Sequence, residues 1–233
     1  MTGELVSLLS AEKAVNTQYI EALKYLNKAG ISVDGRLINS LSETKAADAR
    51  ILEALRFLHK SGIDVDCYIV EALTPEKAQD VEYLEVLKHM HRLRIKVDGD
   101  LISALDADRA HNTQYIDILK RLNKAHITID GSLVYHLTVE KASDLKYVDL
   151  IVELKKEDFT VDGDLINSLT FEKAYDDSEK ADEKKYINKL RYLRSLGIPI
   201  NSKIMDMITI DKSRDPDFID AFERAAAEWE KIR

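Results

Sequence analysis

All eight glycines of this 233-residue chain fall at two phases of a single 32-residue period. With Leu5 as position 1, Gly30, Gly62 and Gly197 occupy position 26, the last after an allowance of seven extra residues. Gly3, Gly35, Gly99, Gly131 and Gly163 occupy position 31. No other feature constrains the fold as tightly. A segment recurring at such a period is one supersecondary unit that buries its apolar face only against neighbouring copies. Blocks start near residues 5, 37, 69, 101, 133 and 165, reading "LVSLLS", "LINSLS", "IVEALT", "LISALD", "LVYHLT" and "LINSLT". Each continues through a step like Glu76-Lys77-Ala78 and an apolar segment like "YLEVL".

The sixth block carries its seven additional residues within 177–185, after which "YINKLRYLRSLGIPIN" restores the register. A partial seventh copy over 204–233 reads as a C-terminal cap, so the whole chain is expected to form a single domain.

Position 12 is Asn or Asp in every full copy, the residue type that caps a helix N-terminus. The stripe Tyr19, Ile20, Leu23 and Leu26 then marks an amphipathic helix B, closed by a left-handed glycine at position 26. Asp at position 30 caps a second helix A, with apolar residues at positions 1, 2, 5 and 10. Thr74-Pro75 marks a place in the third copy where helix A is broken or re-capped. The expected fold is all-α: a right-handed α-solenoid of helix-turn-helix repeats, six repeats plus a capping half-repeat.

The segment "YIEALKYLNKAGISVD" (19–34) resembles the outer helix and exit turn of an ankyrin repeat, and Thr74-Pro75 resembles the ankyrin helix start. The resemblance covers residues 2–203 and implies an architecture of stacked helix pairs only. It is loose: the period is 32 where ankyrins have about 33, Thr-Pro occurs once, and Asn or Asp replaces the glycine between helices.

A net charge of −8 gives no general attraction to nucleic acid or anionic membrane. One cysteine, Cys67, allows no internal disulfide and suggests a reducing compartment. The N-terminus lacks signal-peptide features, and no apolar run approaches the length of a membrane span. The expected protein is cytoplasmic and monomeric. A start in frame at Thr2 also fits a section of a larger multidomain protein, for example a bacterial effector delivered into a host cytosol.

Nucleotide-binding, zinc-protease, CxxC and nucleophile-elbow motifs are all absent. The six histidines fall at five repeat positions, and Cys67 takes a turn position normally held by glycine. No catalytic residue, cofactor or metal is therefore expected, although an enzyme on a helical-repeat scaffold is a third alternative. The recurrent acid at position 8 and base at position 9 suggest charge pairing between neighbouring copies. The Tyr ladder at position 15 (Tyr19, Tyr83, Tyr115, Tyr147, Tyr186) suggests packing between copies. Function is sought at positions that fail to repeat. If helix A is unbroken, positions 3, 7 and 11 share one face. There Tyr135, Val139, Phe171 and Tyr175, with His111, form the expected partner-binding patch; the alternative is that they pack on the preceding helix or beneath the insertion. The expected function is a non-enzymatic protein–protein interaction scaffold that binds a protein or peptide through its helix A, concave face.

Overall fold

A computed structural model describes residues 9–175, 185–221, 223 and 224. The start of the first block at Leu5, the possible cap Asp176, most of the insertion and residues 225–233 of the expected cap lie outside the described residues. Among the described residues there are helices and no strands. They form two compact units: one comprises the chain up to Lys120 with Ile129–Tyr135, and the other comprises Arg121–Thr128 with the chain from His136 onward.

Each of the second to sixth copies contains three helices among the described residues. The second has Gly35–Ser40, Glu43–Ala47 and Ala49–Lys60; the third has Cys67–Ala72, Pro75–Gln79 and Val81–Arg92. The same series of six, five and twelve residues returns as Gly99–Ala104, Ala107–His111 and Thr113–Lys124, then as Gly131–His136, Val139–Ser143 and Leu145–Lys156. Gly163–Ser168, Phe171–Ala174 and Lys185–Ser195 follow, then Ser202–Met207 and Ile210–Arg214.

The two-helix, helix-turn-helix repeat is thereby corrected. Helix A is two short helices in each of these copies, not only at Thr74-Pro75. The residue at position 5 is extended (Leu41 ψ 103°, Leu73 ψ 110°), and position 6 caps a new N-terminus. Ser42 Oγ accepts from Lys45 N at 3.2 Å, Thr74 Oγ1 from Lys77 N at 3.3 Å, and Asp106 Oδ1 from Arg109 N at 2.8 Å. Position 30 caps the first short helix, as Asp98 does for Leu101 N at 3.0 Å. Position 12 caps the long one, as Asp80 does for Tyr83 N at 2.9 Å. With three caps in 32 residues, a side-chain oxygen takes up one of the free backbone donors at each of these helix starts.

In the first unit the long helices bury Tyr19, Leu23, Leu26, Ile51, Leu55, Leu58, Tyr83 and Leu87 against the short-helix residues Leu37, Ile38, Ile69, Val70, Leu101 and Ile102. The second unit buries Tyr147, Ile151, Leu154, Leu165, Ile166, Tyr186 and Leu190 in the same way. Consecutive first short helices of the first unit nearly touch through glycine. A Cβ on Gly99 would lie 2.6 Å from the Tyr68 carbonyl oxygen, and one on Gly131 would lie 2.6 Å from that of Asp100.

The long helices end on a left-handed residue at position 26. Gly30 and Gly62 have φ 91°, and Gly197 has φ 82°. Arg94, His126 and Asp158 hold the same position with φ 61–63°. A side chain there costs about 1 kcal/mol that glycine does not incur. Arg94→Gly, His126→Gly and Asp158→Gly together are expected to stabilise the protein by roughly 2 kcal/mol, raising the thermal midpoint by about 4–8 °C. Gly62→Ala is expected to lower it. Unchanged or lowered melting of the triple variant would show that those side chains contribute more than their backbone strain costs.

Candidate functional site

Positions 9 and 15 join each copy to the next. Tyr19 Oη donates to the Ile38 carbonyl at 2.7 Å, and Tyr115 Oη to that of Val134 at 3.2 Å. Tyr83 Oη lies 3.1 and 3.0 Å from the Ile102 and Leu105 carbonyls, and Tyr186 Oη donates to Met205 O at 3.0 Å. The acceptors are carbonyls at the C-terminal end of the next copy's first short helix, where they have no partner in the helix itself.

The basic residue at position 9 reaches the same carbonyls. Lys13 Nζ donates to Ile38 O at 2.7 Å and to Leu41 O at 3.1 Å, and Lys141 Nζ to Ile166 O at 2.6 Å. Lys77 Nζ donates to Ile102 O. Lys13, Lys77, Lys141 and Lys173 also lie 5.0–5.6 Å above the tyrosine rings of their own copies. Where Ile51 replaces the tyrosine, Lys45 serves both Val70 O and Glu71 O. The expected pairing of positions 8 and 9 between copies therefore takes another form. The base is drawn to helix carbonyls and the acid stays at the surface. A cation at a helix C-terminus is favoured by the dipole, and a charged hydrogen bond contributes about 1.5–3 kcal/mol.

Burial raises the phenol pKa of Tyr83, Tyr115, Tyr147 and Tyr186, and pushes that of Tyr19 up to about 12 with help from Glu43. Burial also pulls Lys45, Lys77, Lys141 and Lys173 below the ordinary lysine value.

Position 11 is a second joint, and it takes up two of the five residues expected to bind a partner. His111 Nε2 sits 2.8 Å from Asp80 Oδ2, the N-cap carboxylate of the preceding copy. That hydrogen bond raises the His111 pKa. Burial alone would raise Asp80, but bonds from Tyr83 N–H and His111 hold it below the usual carboxylate range. Tyr175 Oη likewise donates to Asp144, and this bond is the main cause of a lowered Asp144 pKa. Gln79 accepts from Arg50 at 2.9 Å. Phe171 is half-buried, its ring centroid 5.3 Å from that of Tyr147 and 6.2 Å from that of Tyr175.

The expected common face of positions 3, 7 and 11 required an unbroken helix A and is corrected with it. Position 3 lies on the first short helix, and positions 7 and 11 lie on the second. Tyr135, at position 3, is 65% exposed. His111 is exposed and Val139 half-buried. Tyr135 and His111 belong to the first unit; Val139, Phe171 and Tyr175 belong to the second.

Two equivalent grooves of about 580 and 590 Å³ lie one copy apart between successive long helices, lined by Ala22, Tyr25 and Leu52, and by Ala54, Phe57 and Leu84. Their recurrence follows from the packing of the repeat. Among the described residues no group of three or more His, Cys, Asp or Glu could hold a metal ion, and no helix is long and apolar enough to cross a membrane. No family model, curated protein or solved structure matches the chain.

Proposed function

We propose that the chain is a non-enzymatic binding scaffold, its copies stacked as a right-handed α-solenoid that presents the short-helix surface to a protein partner. One observation carries this reading. Recurrent side-chain bonds between copies fall at positions 9, 11, 12 and 15, while positions 32 and 3 of the first short helices are exposed and change from copy to copy. In the first unit those pairs are Arg36/Asn39, Tyr68/Glu71, Asp100/Ser103 and Ser132/Tyr135, all exposed. Side chains held at fixed spacing on a rigid frame lose little freedom on binding, which favours a scaffold role. Tyr135 is the principal anchor among the five candidate residues, because it stands 65% exposed on the first short helix.

Immobilised protein is expected to retain a lysate component that rebinds in purified form and is lost on Tyr135→Ser. A purified partner binding wild type and Tyr135→Ser equally, yet lost on Glu21→Lys/Glu53→Lys of the long helices, would move the site to the opposite surface.

A further inference from the structure

Resting on that scaffold reading, we infer that the first-short-helix surface of the first unit docks a cationic, arginine-bearing segment in polyproline II conformation, between Tyr68 and Tyr135. The charge asymmetry comes from the joints between copies. Every full copy but the second, which has Thr44, encodes an acid and a base at adjacent positions 8 and 9, which would cancel if both faced solvent. The bases do not: Lys45 is turned to the carbonyls of Val70 and Glu71, Lys77 to that of Ile102, and Arg109 to that of Ala104 in its own copy at 2.9 Å and that of Tyr135 in the next at 3.4 Å. The acids stay out. Glu71, Glu76, Asp100 and Asp108 are exposed on the short helices of the third and fourth copies. Exposed cations near these helices in the chain are Arg36, Arg94 and Lys96, the last bound to Asp98 at 3.0 Å.

Two large aromatic side chains rise from the same surface, Tyr68 at 58% exposure and Tyr135 at 65%. A ring beside carboxylates suits a guanidinium, which can lie on the ring face while donating to the acid. Geometry sets the register of the partner. Glycine brings consecutive short helices to close backbone approach, consistent with the usual interaxial 8–10 Å. A polyproline II segment advances about 3.1 Å per residue with three residues per turn, so its side chains at i, i+3 and i+6 share one face. Three residues therefore span about one copy, and cations at i, i+3 and i+6 meet Tyr68 with Glu71, then Asp100, then Tyr135.

The test titrates the full chain into a fluorescein-labelled Gly/Ser peptide with arginines at i, i+3 and i+6, read by anisotropy. A peptide of the same composition with three consecutive arginines is run beside it. The spaced peptide is expected to bind at least about threefold more tightly than the clustered one, and Tyr68→Ser/Glu71→Gln/Asp100→Asn to weaken it roughly five- to tenfold. All three substitutions lie at exposed positions, and an unchanged thermal midpoint checks the fold. Glu21→Gln/Glu53→Gln/Glu85→Gln removes more charge from the long helices and is expected to leave binding within about twofold. Equal weakening by the two variants would reduce the effect to bulk charge and overturn the inference, as would no preference for spaced arginines or no binding. The scaffold reading fails separately: a purified partner without a cationic segment that is lost on Tyr135→Ser sinks this inference alone, whereas no short-helix partner of any kind sinks both.

Discussion

Raising the pH from 9 to 11 is expected to unfold the protein cooperatively. Tyr19, Tyr83, Tyr115, Tyr147 and Tyr186 are all buried, and burial raises each phenol above the ordinary tyrosine value near 10. A phenol raised in the folded state adds stability that is whole below about pH 10 and is lost as the pH climbs toward the folded value. In that window the unfolded chain releases protons that the folded chain keeps. The loss is up to about 1.4 kcal/mol per pH unit for each tyrosine, or about 7 for the five together. Such a slope exhausts the stability of an ordinary domain within roughly one to two units.

The lysines act with the opposite sign. Their lowered folded values mean that raising the pH relieves a burial cost, but that gain ends near pH 10.4, where the unfolded lysine also loses its proton. Above it the tyrosines act unopposed. Urea midpoints measured from pH 8 to 11 should fall steeply from about pH 10. Tyr83→Phe/Tyr147→Phe should be less stable at pH 8 yet show a shallower slope, because two of the ionisations are gone. Equal slopes in the two proteins would mean that general charge repulsion, not the buried ladder, drives alkaline unfolding.

The second large effect is expected at glycine. Gly99→Ala and Gly131→Ala each place a Cβ 2.6 Å from a carbonyl oxygen of the preceding short helix. The nearest atoms also include carbonyl carbons and a Cβ, so no flexible side-chain end can yield and the two helices must separate. Each substitution is expected to destabilise by about 3 kcal/mol, lowering the thermal midpoint by roughly 6–12 °C. Cys67 supplies the internal control. It is the one described residue at this position in the first unit that already has a side chain, and it is half-buried. Cys67→Ala should therefore shift the midpoint by no more than a few degrees. A mild Gly99→Ala would show that the stacked helices are free to part.

Much of the local structure is legible in the residues. Asp80, Asp98 and Gly62 announce two helix starts and a helix end by chemistry alone, and each does that job. The break in helix A was also written there. Ser42, Thr74, Asp106, Thr138 and Thr170 all supply cap-forming oxygens at position 6. Only Thr74 is followed by proline, so the signal stood out in one copy. Once the break is missed, the carbonyl end that Lys77 serves has no place in the reading, and a basic residue beside Glu76 passes for half of a surface pair. The same omission put Tyr135 and Phe171 on one imagined stripe. A helix restarting two residues on turns its side chains to a new phase, which composition cannot reveal.

The sixth copy is a natural experiment in chain length. Lys141 reaches a carbonyl 25 residues on, whereas Lys173 reaches Met205 across 32 residues at 2.9 Å. Tyr186 keeps the ordinary interval of 19 to that same carbonyl. The additional residues thus enter between the two donors without separating them. That seam is a ready port of entry: a tag, a protease site or a reporter domain spliced between Tyr175 and Lys185 would extend the polypeptide while sparing the bonds that hold copy to copy.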